Sequence, residues 1–443
     1  MTLDLLASLL ATSVVAAPLA AFAMLGLVRL FGRSTMERWS SRLVAAGFGL
    51  GVVGTVATAL LLYVDGRDAL VVHLGTWFSA GDYAFRVTLL LDRLSLPFMF
   101  LATVLCGTIA AFSARYLHRE AGHRRFMTLL CLFGAGVLLV TSAGSFDVAY
   151  AGWELVGLTS ALLVAFFHER EAPLVHGLWT FAVYRVCDVG LLLTAILIHS
   201  WAGTAEYGEL LLGGAWPGGS TSLGATKATA VCLLLLFAAV GKSAQVPLSG
   251  WLPRAMEGPT PSSAIFYGAL SVHLGAYVLL RAGPLLDQSP LASSLLVAVG
   301  LATALHATLV GRVQTDVKCA LAYASMTQVA IIFVEIGLGF RFLALVHLMA
   351  HAALRTLQFL RAPSFLHEHH QLESAMGHHL ARTGRHFERL LPERSQRWLY
   401  RLALERGYHD TLLEVWCVRP VLGVLRWLDR REHALVRWLG GRA

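Results

Sequence analysis

Runs of about 20 apolar residues recur along most of this 443-residue chain, and they limit its possible folds more than any other feature. A helix rises about 1.5 Å per residue, so about 20 residues cross the hydrocarbon core of a bilayer. The composition agrees: 56% of the residues are hydrophobic, 14% are charged, and the mean hydropathy is +0.64. The sequence therefore predicts an all-α, polytopic membrane protein.

We predict about eleven membrane spans within residues 1–360. They cover 3–28, 43–63, 91–112, 126–143, 146–167, 177–200, 228–251, 261–280, 291–311, 319–338 and 342–360. The first span is interpreted as an anchor helix and not as a signal peptide, because it lacks a basic start and is too long. Pro247 lies inside the seventh span, where it predicts a broken helix of the kind that lines hydrated cavities in membrane proteins.

Positive charge alternates between the loops that join these spans. Basic residues follow the odd-numbered spans, namely Arg29, Arg33, Arg38 and Arg42, then Arg115, Arg119, Arg124 and Arg125, then Arg170, Arg254, and Arg312 with Lys318. The loops at 204–222 and 283–290 are rich in Gly and Pro and poor in positive charge. Since short cytoplasmic loops carry the excess of Lys and Arg, we predict an external N-terminus and a cytoplasmic C-terminus.

The last part of the chain differs in character, which predicts a transmembrane domain at 1–360 and a cytoplasmic basic tail at 361–443. The tail is rich in Arg and His and has amphipathic stretches at 398–404 and 421–439, next to Pro420. It is either a helix lying on anionic lipid headgroups or a docking arm for a partner. Arginines here and at span ends explain the net charge of +8, so nucleic-acid binding is not predicted. The six cysteines show no CxxC pairing, and no disulfide framework or metal cluster is expected.

Lys242 and Lys318 stand in or beside apolar runs, although the chain has only three lysines. A desolvated lysine can lose its proton, whereas arginine keeps its own. Glu154 places a carboxylate in another apolar run, and we predict it to be the partner of Lys242. The pair is either a switch or a static ion pair that fixes helix packing.

Further ionisable residues fall at membrane positions. Arg185 and Asp188, three residues apart on one helical face, favour a field-setting or structural role beside Glu154. The histidines are His273, His306, His347 and His351. Each alone is more often a satisfied core residue, but together with the lysines they predict a hydrated proton path in the membrane plane. No third ligand accompanies His347 and His351, so we predict no metal. Lys318 is either part of this path or a snorkelling lysine at an interfacial cap.

Six stretches, in order from about residue 90 to 360, resemble the antiporter-like, proton-conducting subunits of respiratory complex I and of Mrp antiporters. They are GWELVGL at 152–158, YRVCD at 184–188, GKSAQVP at 241–247, GPTPSSA at 258–264, QTDVK at 314–318 and HLMAH at 347–351. The resemblance implies a broken-helix repeat in which Glu154 and Lys242 match the central charged pair. The later lysines and histidines match the family's relay.

Three departures from that pattern point to a shorter branch. Arg355 stands where complex I subunits usually carry a lysine, and Tyr267 occupies the usual histidine position, with His273 six residues later. The chain also leaves the membrane after Leu360, so a truncated second repeat is expected. With LRTLQFLRAPS at 354–364, these features resemble DabB, the membrane subunit of the Dab inorganic-carbon transporters.

This second resemblance implies a partner and an activity. The partner is DabA, a large cytoplasmic zinc protein related to carbonic anhydrases, in which a proton or sodium gradient drives conversion of carbon dioxide to bicarbonate. The chain itself would carry no cofactor, would lie in a bacterial inner membrane among its lipids, and would supply energy coupling alone. The alternatives are a subunit of a redox-driven NADH/quinone or Mrp-type complex, and a scaffold whose charges are inert.

Overall fold

The computed structural model describes residues 3–31, 37–81, 83–211, 216–376 and 391–439. Arg33 and parts of the predicted tail and of the 204–222 loop lie outside these ranges. The elements up to residue 376 are α1 (Leu3–Leu30), α2 (Glu37–Val64), β1 (Ala69–Ala80), β2 (Tyr83–Asp92), α3 (Ser95–Tyr116), α4 (His123–Ser142), α5 (Phe146–Val164), α6 (Glu171–Ala202), α7 (Tyr207–Leu210), α8 (Ala225–Lys242), α9 (Trp251–Arg254), α10 (Thr260–Ser262), α11 (Ser271–Arg281), α12 (Gly283–Asp287), α13 (Pro290–Gly311), α14 (Val317–Gly337) and α15 (Arg341–Met376). A π-helical segment, Ser263–Ala269, precedes α11.

Eleven helical segments among the described residues are long and apolar enough to cross a membrane, which confirms the predicted spans. The largest difference concerns the seventh span, which was predicted to continue to residue 251. Its helix, α8, ends at Lys242, and a short second helix begins at Trp251. The predicted break around Pro247 is therefore confirmed.

One antiparallel hairpin, β1 with β2, joins the second and third spans and was not predicted. Both strands are rich in β-branched and aromatic residues, the composition that favours strands. The sequence analysis placed the start of the third span at residue 91, because the apolar end of β2 runs directly into the helix. The helix begins at Ser95 instead.

The loops after the even-numbered spans contact one another, and we call their side of the molecule the even-loop face. Arg341, which follows the tenth span, donates to the carbonyl of Pro217 at 2.7 Å and to that of Gly283 at 2.8 Å. A β-bridge joins Ser145 to Glu206. These contacts link the loops after the fourth, sixth, eighth and tenth spans.

The loops after the odd-numbered spans form the opposite, odd-loop face. Glu37 accepts hydrogen bonds from His118 at 2.8 Å and from the backbone of Arg119 at 3.1 Å. Tyr116 and Thr260 are 3.2 Å apart through their hydroxyl groups. The alternation agrees with an odd number of spans, whereas the assignment of this face to the cytoplasm stays a prediction.

The segment Thr260–Arg281 is the central helix of the bundle. Every residue of its apolar window is buried, whereas the windows of the other spans are 28–72% buried. A helix surrounded by protein on all sides is held by its neighbours over its whole circumference. It therefore provides a fixed support for the polar side chains that it carries.

A buried ion pair ties the hairpin to this central helix. The Arg281 guanidinium donates to the Asp92 carboxylate at 2.5 and 3.0 Å, and both side chains are at most 7% exposed. Asp92 also accepts the backbone N–H groups of Leu94 and Ser95 at the start of α3. Burial raises the pKa of Asp92, but Arg281 and these N–H groups outweigh it and hold that pKa below its ordinary value. The sequence analysis missed this pair.

Replacing Arg281 by methionine is expected to lower the free energy of unfolding by about 3–5 kcal/mol at pH 7, because Asp92 then stays buried without its counter-charge. The contribution of Asp92 is present above its unfolded pKa of about 3.9 and is lost as the pH falls through its lower folded pKa. The difference between wild type and Arg281→Met should therefore shrink below about pH 4. Unfolding in detergent at several pH values measures it.

The matched control is Arg93→Ala, since Arg93 and its partner Asp68 are both more than half exposed. That variant should change stability by at most about 1 kcal/mol. Equal losses in the two variants would show that the buried pair has no special role.

Candidate functional site

The seventh span ends inside the protein at Lys242. The last carbonyl groups of a helix lack intrahelical partners and carry partial negative charge, so a cation is favoured at this end. The chain then leaves the helix through 243–250, which includes Pro247. Val246 N–H donates to Thr303 Oγ1 on α13 at 3.0 Å. The interruption is thus held in place by a neighbouring span.

The Lys242 side chain is fully buried in a box of aromatic rings and oxygen atoms. Its Nζ lies 3.7 Å from Asp188 Oδ1 and donates to the Trp153 carbonyl at 3.3 Å. The ring centroids of Tyr184 and Trp153 are 4.2 and 4.7 Å away. An ammonium group over aromatic faces is stabilised most where water is excluded.

The predicted pairing of Lys242 with Glu154 is wrong in its partner. Arg185 reaches from α6 to α5 and contacts the Glu154 carboxylate, and its Nη2 donates to Asp188 at 2.8 Å. Asp188 also accepts a hydrogen bond from the Trp153 indole. We call Glu154, Arg185, Asp188 and Lys242 the charge network: with every member ionised it is neutral.

Exposure increases along the charge network. Lys242 and Asp188 are 0% and 3% exposed, whereas Glu154 and Arg185 are 22% and 35% exposed. One end of the network is therefore enclosed by protein, and the other reaches the outer surface of α5 and α6.

Two glycines let the helices that carry the network approach one another. A Cβ on Gly157 of α5 would lie 3.0 Å from Lys242 Nζ, and one on Gly241 of α8 would lie 2.2 Å from Cys187 Sγ. A larger residue at either position would force these atoms apart. Gly157 therefore leaves the space that the ammonium group occupies, and Gly241 lets α8 pack against α6.

Three residues on two helices, Arg355, His351 and His273, form a second polar group, which we call the histidine group. Arg355 Nε donates to His351 Nε2 at 3.2 Å, and His351 Nδ1 lies 2.9 Å from His273 Nε2. His273 Nδ1 contacts the Ala269 carbonyl. Because guanidinium only donates, the hydrogen-bond pattern assigns the ring protons to both Nδ1 atoms. The pair is thus two neutral rings with one hydrogen-bond direction, from Arg355 to Ala269.

His347 belongs to the same region, since its ring centroid is 6.3 Å from that of His351. Its Nδ1 lies 2.8 Å from Glu335 Oε1, and its Nε2 lies 3.1 Å from Gln328 Oε1. Both ring nitrogens of His347 therefore have a polar partner on α14. The sequence analysis missed Glu335 and Gln328, although a carboxylate inside the apolar tenth span is the signal that could have found Glu335.

Tyr267 lies on the central helix that also carries His273, and its ring is directed towards the residues around Lys242. The ring centroid lies 5.6 Å from that of Trp251, which in turn lies 4.9 Å from Tyr184 beside the lysine. The buried Tyr267 hydroxyl has no hydrogen-bond partner among the residues the structure describes. Buried polar groups are normally satisfied, by ordered water where protein is absent. This position therefore suits a hydrated connection.

Lys318 and Asp316 hold the start of α14. Asp316 caps the helix by accepting the Cys319 N–H at 2.7 Å. Lys318 Nζ donates to the carbonyls of Met256 and Gly258 at 2.9 Å each. The predicted cap is confirmed, and the lysine binds the second half of the broken span.

His306 is placed apart from the three histidines that contact one another. It lies half-buried on α13, with its ring 6.4 Å from that of Tyr323. Within the described ranges, no group of three or more His, Cys, Asp or Glu residues is arranged to hold a metal ion.

Two family models match the chain. One, described as NADH:quinone oxidoreductase/Mrp antiporter, TM, matches residues 143–385, which is more than half of the chain. The other, described as NADH-Ubiquinone oxidoreductase (complex I), chain 5 N-terminus, matches residues 77–127. The chain belongs to this antiporter-like family. The matched range holds both the charge network and the histidine group.

Individual relatives agree with the family. NADH-quinone oxidoreductase subunit L of Mycobacterium tuberculosis is 35% identical over 368 residues, covering 81% of this chain and 56% of the relative. Subunit L of Escherichia coli K12 is 35% identical over 337 residues, covering 74% of this chain and 54% of the relative. The chain thus spans little more than half the length of these curated relatives.

Two solved structures share the fold. A chain of the Mrp complex from Dietzia sp. DQ12-45-1b superposes with a TM-score of 0.67 at 28% identity, covering 79% of this chain and 37% of that one. A chain of an archaeal membrane-bound sulfane sulfur reductase gives 0.64 at 18% identity, covering 79% and 70%, and supports the fold alone. The other relatives are named as subunits of NADH-quinone oxidoreductase or of an Mrp complex, and the narrower Dab assignment stays a prediction.

Replacing Asp188 by asparagine is expected to cost about 3–5 kcal/mol of stability, because Lys242 stays buried without a counter-charge. Glu154→Gln should cost less, since Arg185 then keeps Asp188 as its counter-charge. Thermal unfolding of the purified variants measures both. A larger loss in Glu154→Gln would restore the direct Glu154 and Lys242 pair, and Asp188→Asn/Lys242→Met should recover part of the loss.

Proposed function

We propose that this chain moves protons across a bacterial inner membrane as the antiporter-like subunit of a multi-subunit complex of complex I or Mrp type. The observation that carries the proposal is a fully buried lysine at the end of a broken membrane helix, joined by ion pairs to a surface carboxylate. Intramembrane ionisable residues with named partners are typical of proton pathways. The match to complex I and Mrp relatives supports the same class.

The charge network suits a step in which one proton is released and another is taken up. Lys242 is the cation that can lose a proton, because Arg185 keeps its own. Loss of that proton leaves Asp188 next to a neutral amine and gives the network a net negative charge. Neutrality returns when a proton is taken up. One charge that crosses a 100 mV potential releases about 2.3 kcal/mol, enough to bias a two-state element by more than tenfold.

We propose that the released proton passes by Tyr267 and His273 towards Lys318 and the odd-loop face. The support is the aromatic contact from Tyr184 through Trp251 to Tyr267, followed by the contact between His273 and His351. His347, Arg355 and His306 line the same half of the bundle in this proposal. Sodium is the alternative ion.

The exposed end of the charge network supports a membrane partner. Glu154 and Arg185 reach the outer surface of α5 and α6 at membrane depth, where an uncovered charge facing lipid is costly. We propose that a neighbouring membrane subunit covers this surface. The basic odd-loop face would be cytoplasmic, which gives an external N-terminus and a cytoplasmic C-terminus.

The proposed cytoplasmic tail begins within a continuous helix, since α15 crosses residue 361 and runs to Met376. The chain divides into two compact units, Met1–Leu380 and Ala381–Ala443. The described helices of the second unit are α16 (Glu393–Leu404), α17 (His409–Leu413) and α18 (Arg419–Leu439). Exposed apolar residues such as Trp398 and Trp427 lie among arginines there, which suits a lipid surface or a docked partner.

A second candidate is energy coupling to inorganic-carbon accumulation, as in the Dab transporters. The observation that favours it is Arg355, which stands where the family usually carries a lysine and is held by His351 and by Gln358 Oε1 at 2.6 Å. A guanidinium cannot release a proton. Under this candidate the gradient would drive a cytoplasmic zinc partner, DabA, that converts carbon dioxide to bicarbonate, while this chain binds no zinc.

Lys242→Ala is expected to slow gradient-driven proton movement by about a hundredfold or more while the complex still assembles, because the releasable proton is lost. The measurement is dye-reported acidification in vesicles that contain the intact complex. Lys227→Ala is the matched control, since Lys227 is exposed at the start of α8 and should leave the rate unchanged. Normal proton movement in Lys242→Ala would refute the proposal.

Purification of the tagged chain from its native host separates the two candidates. A redox or Mrp-type complex predicts several further membrane subunits, with flavin or iron–sulfur proteins in the redox case. The carbon-transport candidate predicts one large cytoplasmic partner with stoichiometric zinc, measured by elemental analysis. A preparation with further membrane subunits and no zinc would exclude the Dab assignment.

A further inference from the structure

A cavity of about 130 Å³ opens on the even-loop face at the ends of α5 and α6. Asp147, in the first turn of α5, and His199, in the last turn of α6, line it. Its other charged lining residues are Arg86, Glu206 and Glu209. None of these was singled out from the sequence, and the charge network does not include them.

The cavity favours a cation. Arg86 lies 3.7 Å from Glu206 and 3.9 Å from Glu209, so its charge is directed at those two carboxylates. Asp147 faces different groups, the Tyr83 hydroxyl and the His199 ring. With His199 neutral, three carboxylates and one guanidinium give a net charge of about −2, and a charged concave site concentrates counter-ions.

Tyr83 from the hairpin contacts two of the residues that line this cavity, His199 and Asp147. Its ring lies 4.6 Å from that of His199, edge to face. Burial raises the pKa of Tyr83, and the nearby Asp147 carboxylate raises it further. The phenol therefore stays protonated and donates to Asp147, which orients the carboxylate between the tyrosine and the histidine.

The cavity and the charge network lie along one contact between two helices. On α5, Asp147, Tyr150 and Glu154 follow one another at helical spacing on one face, over about 10 Å. On α6, His199 and Asp188 lie about three turns, or roughly 16 Å, apart on one face. Tyr150 is half-buried and close enough to feel the charges of Arg185 and Asp188. It is the ionisable side chain on α5 between the two sites.

We propose that this cavity is the cation-uptake port of the charge network, with Asp147 as the group that first binds the proton. A proton from bulk water binds the Asp147 carboxylate, with His199 as its exchange partner. The Tyr150 hydroxyl oxygen then accepts this proton from Asp147 and releases the original hydroxyl proton towards Asp188. The proton ends on the Lys242 amine, which has released its previous one. The inference rests on the proposed function, and it adds that the proton is taken up at this cavity on the even-loop face.

The transport test uses the intact complex in vesicles. Asp147→Asn and Tyr150→Phe are each expected to slow proton movement about tenfold or more, since each removes one transfer group with little change in shape. Asp68→Asn is the matched control and should keep the wild-type rate, because Asp68 is an exposed carboxylate that lies just before the hairpin and outside the cavity. If Lys242→Ala abolishes proton movement while Asp147→Asn and Tyr150→Phe keep the wild-type rate, the port is overturned and the proposed function stands.

A second test does not depend on proton movement. Thr204→Cys places a thiol in the cavity wall, and mass spectrometry locates its modification by a cationic or an anionic methanethiosulfonate added to the intact complex. The cationic reagent should react about tenfold faster than the anionic one, and Asp147→Asn should reduce that preference. Equal rates for the two reagents would overturn the port, whether or not the chain moves protons.

Discussion

The cost of burying one ammonium group determines how the centre of this molecule is built. Lys242 has no contact with solvent, and an isolated charge there would be unstable. Asp188, the Trp153 carbonyl and two aromatic faces supply the opposing negative charge. The same requirement explains why three helices meet at glycines beside this side chain. Close approach of the backbones leaves no room for water, so protein groups alone must stabilise the ion.

The sequence predicted those features that a short segment specifies by itself. Apolar runs, the proline in the seventh span and ionisable residues inside spans can each be read locally, and the structure confirms the spans and the break. The sequence could not identify Asp188 as the partner of Lys242. That pairing arises because Arg185 reaches across to Glu154 and engages the carboxylate that was expected to pair with the lysine. The Asp92 and Arg281 pair and the cavity around Asp147 likewise join segments that are remote in the chain.

The two polar groups would take part differently in the proposed proton movement. The charge network is neutral as a whole and has one member that can lose a proton, so its natural event is a change of charge. The histidine pair is neutral and hydrogen-bonded in one direction, so its natural event is a change of hydrogen-bond direction. The central helix carries both His273 and Tyr267, whose ring contacts Trp251 on the side of Lys242.

The arrangement of that pair has a consequence for timing. A guanidinium closes one end of the pair and a backbone carbonyl closes the other, and neither group exchanges protons at neutral pH. While both rings keep this orientation, no proton can pass through the pair from one end to the other. In the proposed proton path, one imidazole would have to rotate away from Arg355 or from Ala269. Rotation of a single imidazole ring would then be enough to control proton transfer, and no helix would have to move.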